Sequence, residues 1–385
     1  MSVTPRRHMV DEPGLRQRAS VGELAAALGL VAGIYAVQFL LSGAKIFHLM
    51  LAFRVYRGWD PVEAIPVEYQ FDLEAVLPNL IGAAVLGDPT DNPDAVMLRY
   101  QAVATGFLLL VGLFGVWRRS ITPTGLALLF VLAQVAKLNL AWLGKPDMLL
   151  VGFLLLIVWF VGRPVTAVFG FLAALCHPMI SVLACCVLAT GMLLLGTHRL
   201  NSVRGVLSYL WAPLGALAGF LAGTVFLRLR FPTMAGRVAA ADERGTDLYL
   251  NVMPNLVVFA VLVVFPIVTF YLLVRDHVRT PEPVAPAAVR HLALIATAVG
   301  CFILSAFIVL DHSRVWALIT LPALSLAIAL HTTALTEALR RNRALVVYLL
   351  LVVMALPGLV MEGWFGFTHK GFEEWLAQLG RIVHP

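Results

Sequence analysis

Apolar residues in this chain fall in long, nearly uninterrupted blocks separated by short polar segments, not at every third or fourth position. Blocks of about 15–25 residues match the ~20 an α-helix needs to cross the hydrocarbon of a bilayer, whereas barrel strands read as short alternating segments. In order, the candidate spans lie near 22–42, 100–117, 124–143, 147–162, 164–178, 179–196, 205–227, 252–274, 291–310, 315–331 and 344–361. The pattern predicts an all-α, polytopic membrane protein with about eleven transmembrane helices. The run 71–87 is also apolar, but Asp72, Glu74, Pro78 and Asn79 interrupt it. It is expected to form an interfacial or re-entrant helix inside a long first loop, 43–99.

Composition strengthens the membrane reading: mean hydropathy is +0.88 and only 13% of residues are charged, far from the balance of a soluble domain. Some twenty basic and polar residues precede the first block, which lacks a small-residue cleavage site, so a retained first span is expected. The organisation expected is a cytoplasmic segment 1–21, one transmembrane domain 22–361 and an outer tail 362–385. No internal repeat of the transporter kind is visible. Cys176, Cys185, Cys186 and Cys301 all lie in apolar runs without metal-ligand spacing, which predicts buried free thiols.

Orientation follows from the distribution of arginine and lysine among the loops. With a cytoplasmic N-terminus, fifteen arginines, among them Arg18, Arg118, Arg119 and Arg163, fall inside with six carboxylates. Of the 28 basic and 22 acidic residues, the remaining thirteen and sixteen lie outside or within spans. Positive-inside loops thus account for the net charge of +6, and no nucleic-acid-binding pattern accompanies it. The expected location is the cell membrane, with the polar chemistry on the extracytoplasmic face.

That face receives the unusual residues. "YRGWDPVEAIPVEYQFDLE" (56–74) carries Asp60, Glu63, Glu68, Asp72 and Glu74 beside Tyr56, Trp59 and Tyr69. Asp60 precedes Pro61 in a turn, and Glu68 and Asp72 are spaced to share a helical face. Such carboxylates can act as a general base, hold a divalent ion or form a hydrated surface. "LGKPD" pins Lys145 and Asp147 between two spans. Within the preceding span, Gln134, Lys137 and Lys145 project from one face if the helix is continuous. A lysine at that depth needs a polar cavity or a partner, and a cationic wall would suit a phosphate; a structural ion pair or snorkelling explains it equally. His177 ends a span before Pro178, and "DHSR" places Asp311, His312 and Arg314 in a tight turn, with Arg314 a phosphate fork or half of an Asp–Arg pair. Arg228 closes the same-face set.

This arrangement resembles the GT-C superfamily of integral-membrane glycosyltransferases: "WDPVE" in a long first outer loop, "GKPD" and "DHSR" on the same face, and the span-rich topology of the whole chain. The likeness is one of architecture; the adjacent-acid and His-Pro-Asp-Glu loop patterns of that superfamily are absent. The resemblance implies a polyprenyl-phosphate-linked sugar donor, a glycan, lipid or protein acceptor, and a catalytic acid among Asp60, Glu63, Glu68 and Asp72. It implies no obligatory cofactor, with a divalent cation as an option. Lys137, Lys145, Asp147, His177, Arg228, Asp311, His312 and Arg314 become candidate substrate-binding residues. Two other classes use the same residues differently: a polysaccharide polymerase or ligase working on lipid-pyrophosphate-linked glycans, and a transporter or flippase of lipid-linked substrates.

Overall fold

The computed structural model describes residues 18–44, 49–141, 143–195, 202–235, 264–274, 286–308, 312–355, 361–362 and 366–367. These residues form α-helices, apart from two 3-10 segments and one short antiparallel ladder. The helices are α1 (Val21–Ser42), α2 (Met50–Arg57), α3 (Val76–Val85), α4 (Pro93–Trp117), α5 (Pro123–Leu132), α6 (Val135–Ala141), α7 (Asp147–Trp159) and α8 (Val165–Cys176). There follow α9 (Pro178–Leu194), α10 (Val203–Arg230), α11 (Phe265–Val274), α12 (Ala287–Ile308), α13 (His312–Leu330), α14 (Thr332–Arg341) and α15 (Arg343–Ala355). The ladder pairs β1 (Met361–Glu362) with β2 (Gly366–Phe367). The all-α expectation holds, and most apolar blocks coincide with a helix.

Local chemistry sets the starts. Ser20 and Glu23 close a capping box on α1, Asn92 caps α4 with Pro93 at its first position, and Thr122 caps α5 ahead of Pro123. Ser202 caps α10, and Pro178 opens α9.

The eleven spans expected are matched only in part by the described residues. Among the described residues three helices are long and apolar enough to cross a membrane, Val21–Leu41, Pro93–Trp117 and Val203–Arg230. A fourth arises if Arg314–Leu330 and Thr332–Arg341, bent by 71°, form one span. Other apolar helices, such as α3, α5, α7, α8, α9 and α11, have 10–17 residues. The 13 residues of α7, for instance, rise only ~20 Å.

The block 124–143 is not one helix. It breaks between α5 and α6, where Gln134 adopts a left-handed φ of 56°. Gln134, Lys137 and Lys145 therefore do not share a continuous helical face, and the cationic wall expected from that phase does not form. The run 71–87 resolves into a 3-10 segment, Val67–Glu74, followed by α3. The expectation that Glu68 and Asp72 share a helical face falls on a side chain, that of Glu68, outside the described residues.

Helices α5 and α7 are buried nearly all round and form the centre. Peripheral α1 and α10 keep large apolar side chains at the surface, Leu40 at 75% and Leu229 at 79% exposure, which in water would be costly and in lipid is not. The tightest seam joins α8 to α10. A Cβ on Gly215 would stand 1.9 Å from the Ala167 carbonyl oxygen, and one on Gly219 would stand 2.4 Å from that of Phe171. Only glycine permits this backbone contact.

Contacts sort the helix ends. Ala19 N donates to Trp117 O, Glu23 pairs with Arg119, and Thr122 and Thr332 share a hydroxyl hydrogen bond, so these residues occupy one end. Residues 50–100, the turn at 144–146, and the facing ends of α8, α10 and α13 gather at the other. Cys176, Cys185 and Cys301 are buried thiols as expected; Cys186 is exposed.

Candidate functional site

The first loop is folded back by its own glycine. Gly58, at φ 78°, ends α2, and Trp59 N donates to Arg54 O, turning the chain so that Asp60 returns to Arg54. Arg54 Nε and Nη2 then grip both oxygens of Asp60 at 2.5 and 2.9 Å. This fork holds the Asp60 carboxyl below its ordinary range. Glu63 is exposed, and its carboxyl is lowered by its own backbone N–H and the Thr233 hydroxyl. Both acids are structural latches in this geometry, a poor setting for a base.

Asp72 is held differently. Asn79, fully buried, donates its Nδ2 to Asp72 O at 2.8 Å, and the Tyr56 hydroxyl donates to Leu73 O at 2.7 Å. The 3-10 segment so anchored presents the Asp72 carboxylate to Lys145, with Nζ 3.3 Å from Oδ1. Underneath, Tyr56 packs on Phe231, and Val62, Ile65 and Leu73 cluster with Leu227, joining the loop to the last turn of α10.

Lys145 stands in a turn that needs Gly144, at φ 93°, and the Gly144 N–H donates to buried Gln101 Oε1 at 2.8 Å. Gln101 continues to Asn139, whose Nδ2 donates to Tyr35 OH at 2.6 Å, so α1, α4 and α6 fix the turn from below. Two residues beyond Lys145, Asp147 begins α7 and meets Arg314 of α13, Nε lying 2.8 Å from Oδ2 and 3.0 Å from Oδ1. That pair is sealed, with side-chain exposures of 1% and 8%. Cys176 and the fully buried Tyr100 hydroxyl, which makes no hydrogen bond among the described residues, lie within electrostatic reach of Asp147.

Four sequence-predicted residues, Asp72, Lys145, Asp147 and Arg314, are thus brought together as two ion pairs bridged by Pro146. Their formal charges cancel, so the region is not a plain cationic patch; an anion reaching Lys145 must displace Asp72. Lys137 stands apart, buried, and donates from Nζ to Val353 O at 3.0 Å. His177 is the hinge between α8 and α9, its N–H bonded to Ala173 O and its carbonyl accepting from Ser181. Arg228 is exposed on the last turn of α10. Asp311 and the side chains of His312 and Glu68 lie outside the described residues. Among the described residues no group of three or more His, Cys, Asp or Glu side chains is arranged to hold a metal ion.

Arg54 and Gln101 escaped the sequence reading, and Tyr56 and Asn79, noted there as an aromatic beside the acids and a polar interruption, were not read as anchors of the loop. A Gly four residues after Arg54 and two before Asp60 was the one local signal for the first of them. No protein-family model, curated protein or solved structure matches the chain.

Proposed function

We propose that this chain is an integral-membrane glycosyltransferase that moves a sugar from a polyprenyl-phosphate donor to a cell-envelope glycan, lipid or protein acceptor on the extracytoplasmic side. The observation that carries the reading is the meeting of first-loop Asp72 with Lys145, two residues from the Asp147–Arg314 pair. In this scheme Asp72 leaves Lys145 and takes the proton of the acceptor hydroxyl. The acceptor oxygen bonds the anomeric carbon as the bond to the donor phosphate breaks. Lys145 then neutralises the departing phosphate, with Arg314 and Asp147 fixing the turn that carries it. Asp72 replaces Asp60 as the preferred base because the Arg54 fork occupies both Asp60 oxygens.

The test is direct: purified protein supplied with a polyprenyl-phosphate sugar and a hydroxyl acceptor should release polyprenyl phosphate. Unchanged donor after many enzyme equivalents, across the common envelope sugars, would reject the reading. One observation favours a second reading, a transporter of lipid-linked substrates. A helix interrupted at Gln134 beside buried Lys137 is the kind of break that lines substrate paths in membranes. Substrate flux that is lost in Lys137→Met, without any sugar transfer, would select it.

A further inference from the structure

At the end of the bundle opposite Asp72 and Arg314, arginines gather on aromatic rings. Arg118, the C-cap of α4, lays its guanidinium 4.2 Å from the centre of the Phe160 ring and 5.5 Å from that of Phe114. Phe114 and Phe160 are themselves stacked, and Arg18 lies 4.4 Å over Trp117. The tight turn after α7, with Gly162 at φ 78°, brings exposed Arg163 into electrostatic reach of Arg118. Partial burial, and then the Arg163 charge, weaken the hold of Arg118 on its proton. Arg119, next in sequence, is neutralised by Glu23. Arg18, Arg118 and Arg163 make no ion pair among the described residues.

The Arg163 N–H donates to Phe160 O at 3.0 Å, which seats Arg163 next to the ring that Arg118 covers, and an anion shared by the two arginines would relieve their repulsion. A ring beneath the Arg118 plane covers its apolar face and leaves its N–H edge to donate, the geometry that suits a tetrahedral oxyanion. The rings Phe114, Trp117 and Phe160 form the kind of aromatic collar found at headgroup depth, and α8 continues from this turn with exposed Val165 and Val168, an apolar track for an acyl chain. We infer that Arg118, seated on the Phe114–Phe160 stack, and Arg163 in the turn beside it form a binding site for the phosphate of an anionic phospholipid, with the acyl chain lying along α8. This inference does not depend on the glycosyltransferase reading.

The site can be tested on the detergent-purified full chain by counting bound lipid in native mass spectrometry, and by titration in phosphatidylcholine nanodiscs with and without phosphatidylglycerol. The protein should retain phosphatidylglycerol in preference to phosphatidylcholine. Arg163→Gln, a surface change that spares the fold, should weaken that preference about five-fold, and Arg118→Gln with Arg163→Gln about twenty-five-fold. Arg57→Gln, at the far end where Arg57 lies over Trp59 alone, should leave it unchanged. Equal retention of the two lipids, or undiminished phosphatidylglycerol binding by folded Arg163→Gln, overturns the inference. If inorganic phosphate displaces phosphatidylglycerol at similar concentration, the site reads free phosphate and the lipid assignment falls.

Discussion

At the scale of single residues, the decisive distinction lies between two aspartates of one loop. Asp60 is clamped by Arg54 through two short hydrogen bonds, whereas Asp72 meets one lysine at 3.3 Å in a partly open pair. Under the proposed chemistry, Asp72→Asn should lower transfer by ~10²–10⁴ with donor affinity little changed, and Asp60→Asn should retain most turnover. Single-turnover kinetics with saturating donor separate the two; the reverse ranking would return the role of base to the Trp-Asp-Pro turn. The Asp60 clamp carries a pH signature of defined sign. Because the folded carboxyl lies below its ordinary 3.8, its contribution to loop order is complete above that value and fades as pH falls through the lowered one. Hydrogen exchange of residues 54–60 should stay protected from neutral pH to about pH 5 and loosen only in stronger acid. Asp60 was legible as a restrained acid from Trp59 and Pro61, but its partner was not, since the chain reversal across the five intervening residues was marked by Gly58 alone.

At the scale of elements, helix starts have local causes, Ser20 with Glu23, Asn92 with Pro93 and Thr122 with Pro123, yet the apolar pattern alone placed the start of α4 near 100 and missed its polar first turns from Pro93. The break at Gln134 was not readable. No proline or glycine marks it, and α6, seven residues long, is sustained by partners distant in sequence, Lys137 on Val353 O and Asn139 on Tyr35. The Asp147–Arg314 pair spans 167 residues and was equally invisible, although each member stood out as a charge at a block edge. The glycines of α10 make the sharpest test of an element. Gly215→Leu should destabilise by at least ~3 kcal/mol, since the new side chain meets backbone that cannot yield. Gly29→Leu on α1, with nothing within 4 Å, should stay within ~0.5 kcal/mol. Thermal unfolding of the two purified variants compares them, and equal midpoints would mean that the α8–α10 contact is looser than described.

At the scale of the molecule, contacts divide the helix ends into two groups. Arg18, Arg118, Arg119 and Arg163 lie at one end, and the five-acid loop lies at the other. The division predicts opposite exposure for Thr90→Cys and Ser120→Cys in a background without the four native cysteines. In intact cells an impermeant thiol reagent should label position 90 and spare position 120; equal labelling would undo the orientation on which the proposed site rests. The glycine seam also bears on how the bundle can move. Sliding α8 by one residue along α10 would carry Cβ atoms into carbonyl oxygens, so these two helices form a fixed wall. A polyprenyl tail seeking the Asp72–Lys145 region from within the bilayer would find no doorway there. Under the proposed function it would have to part helices that meet through side chains instead.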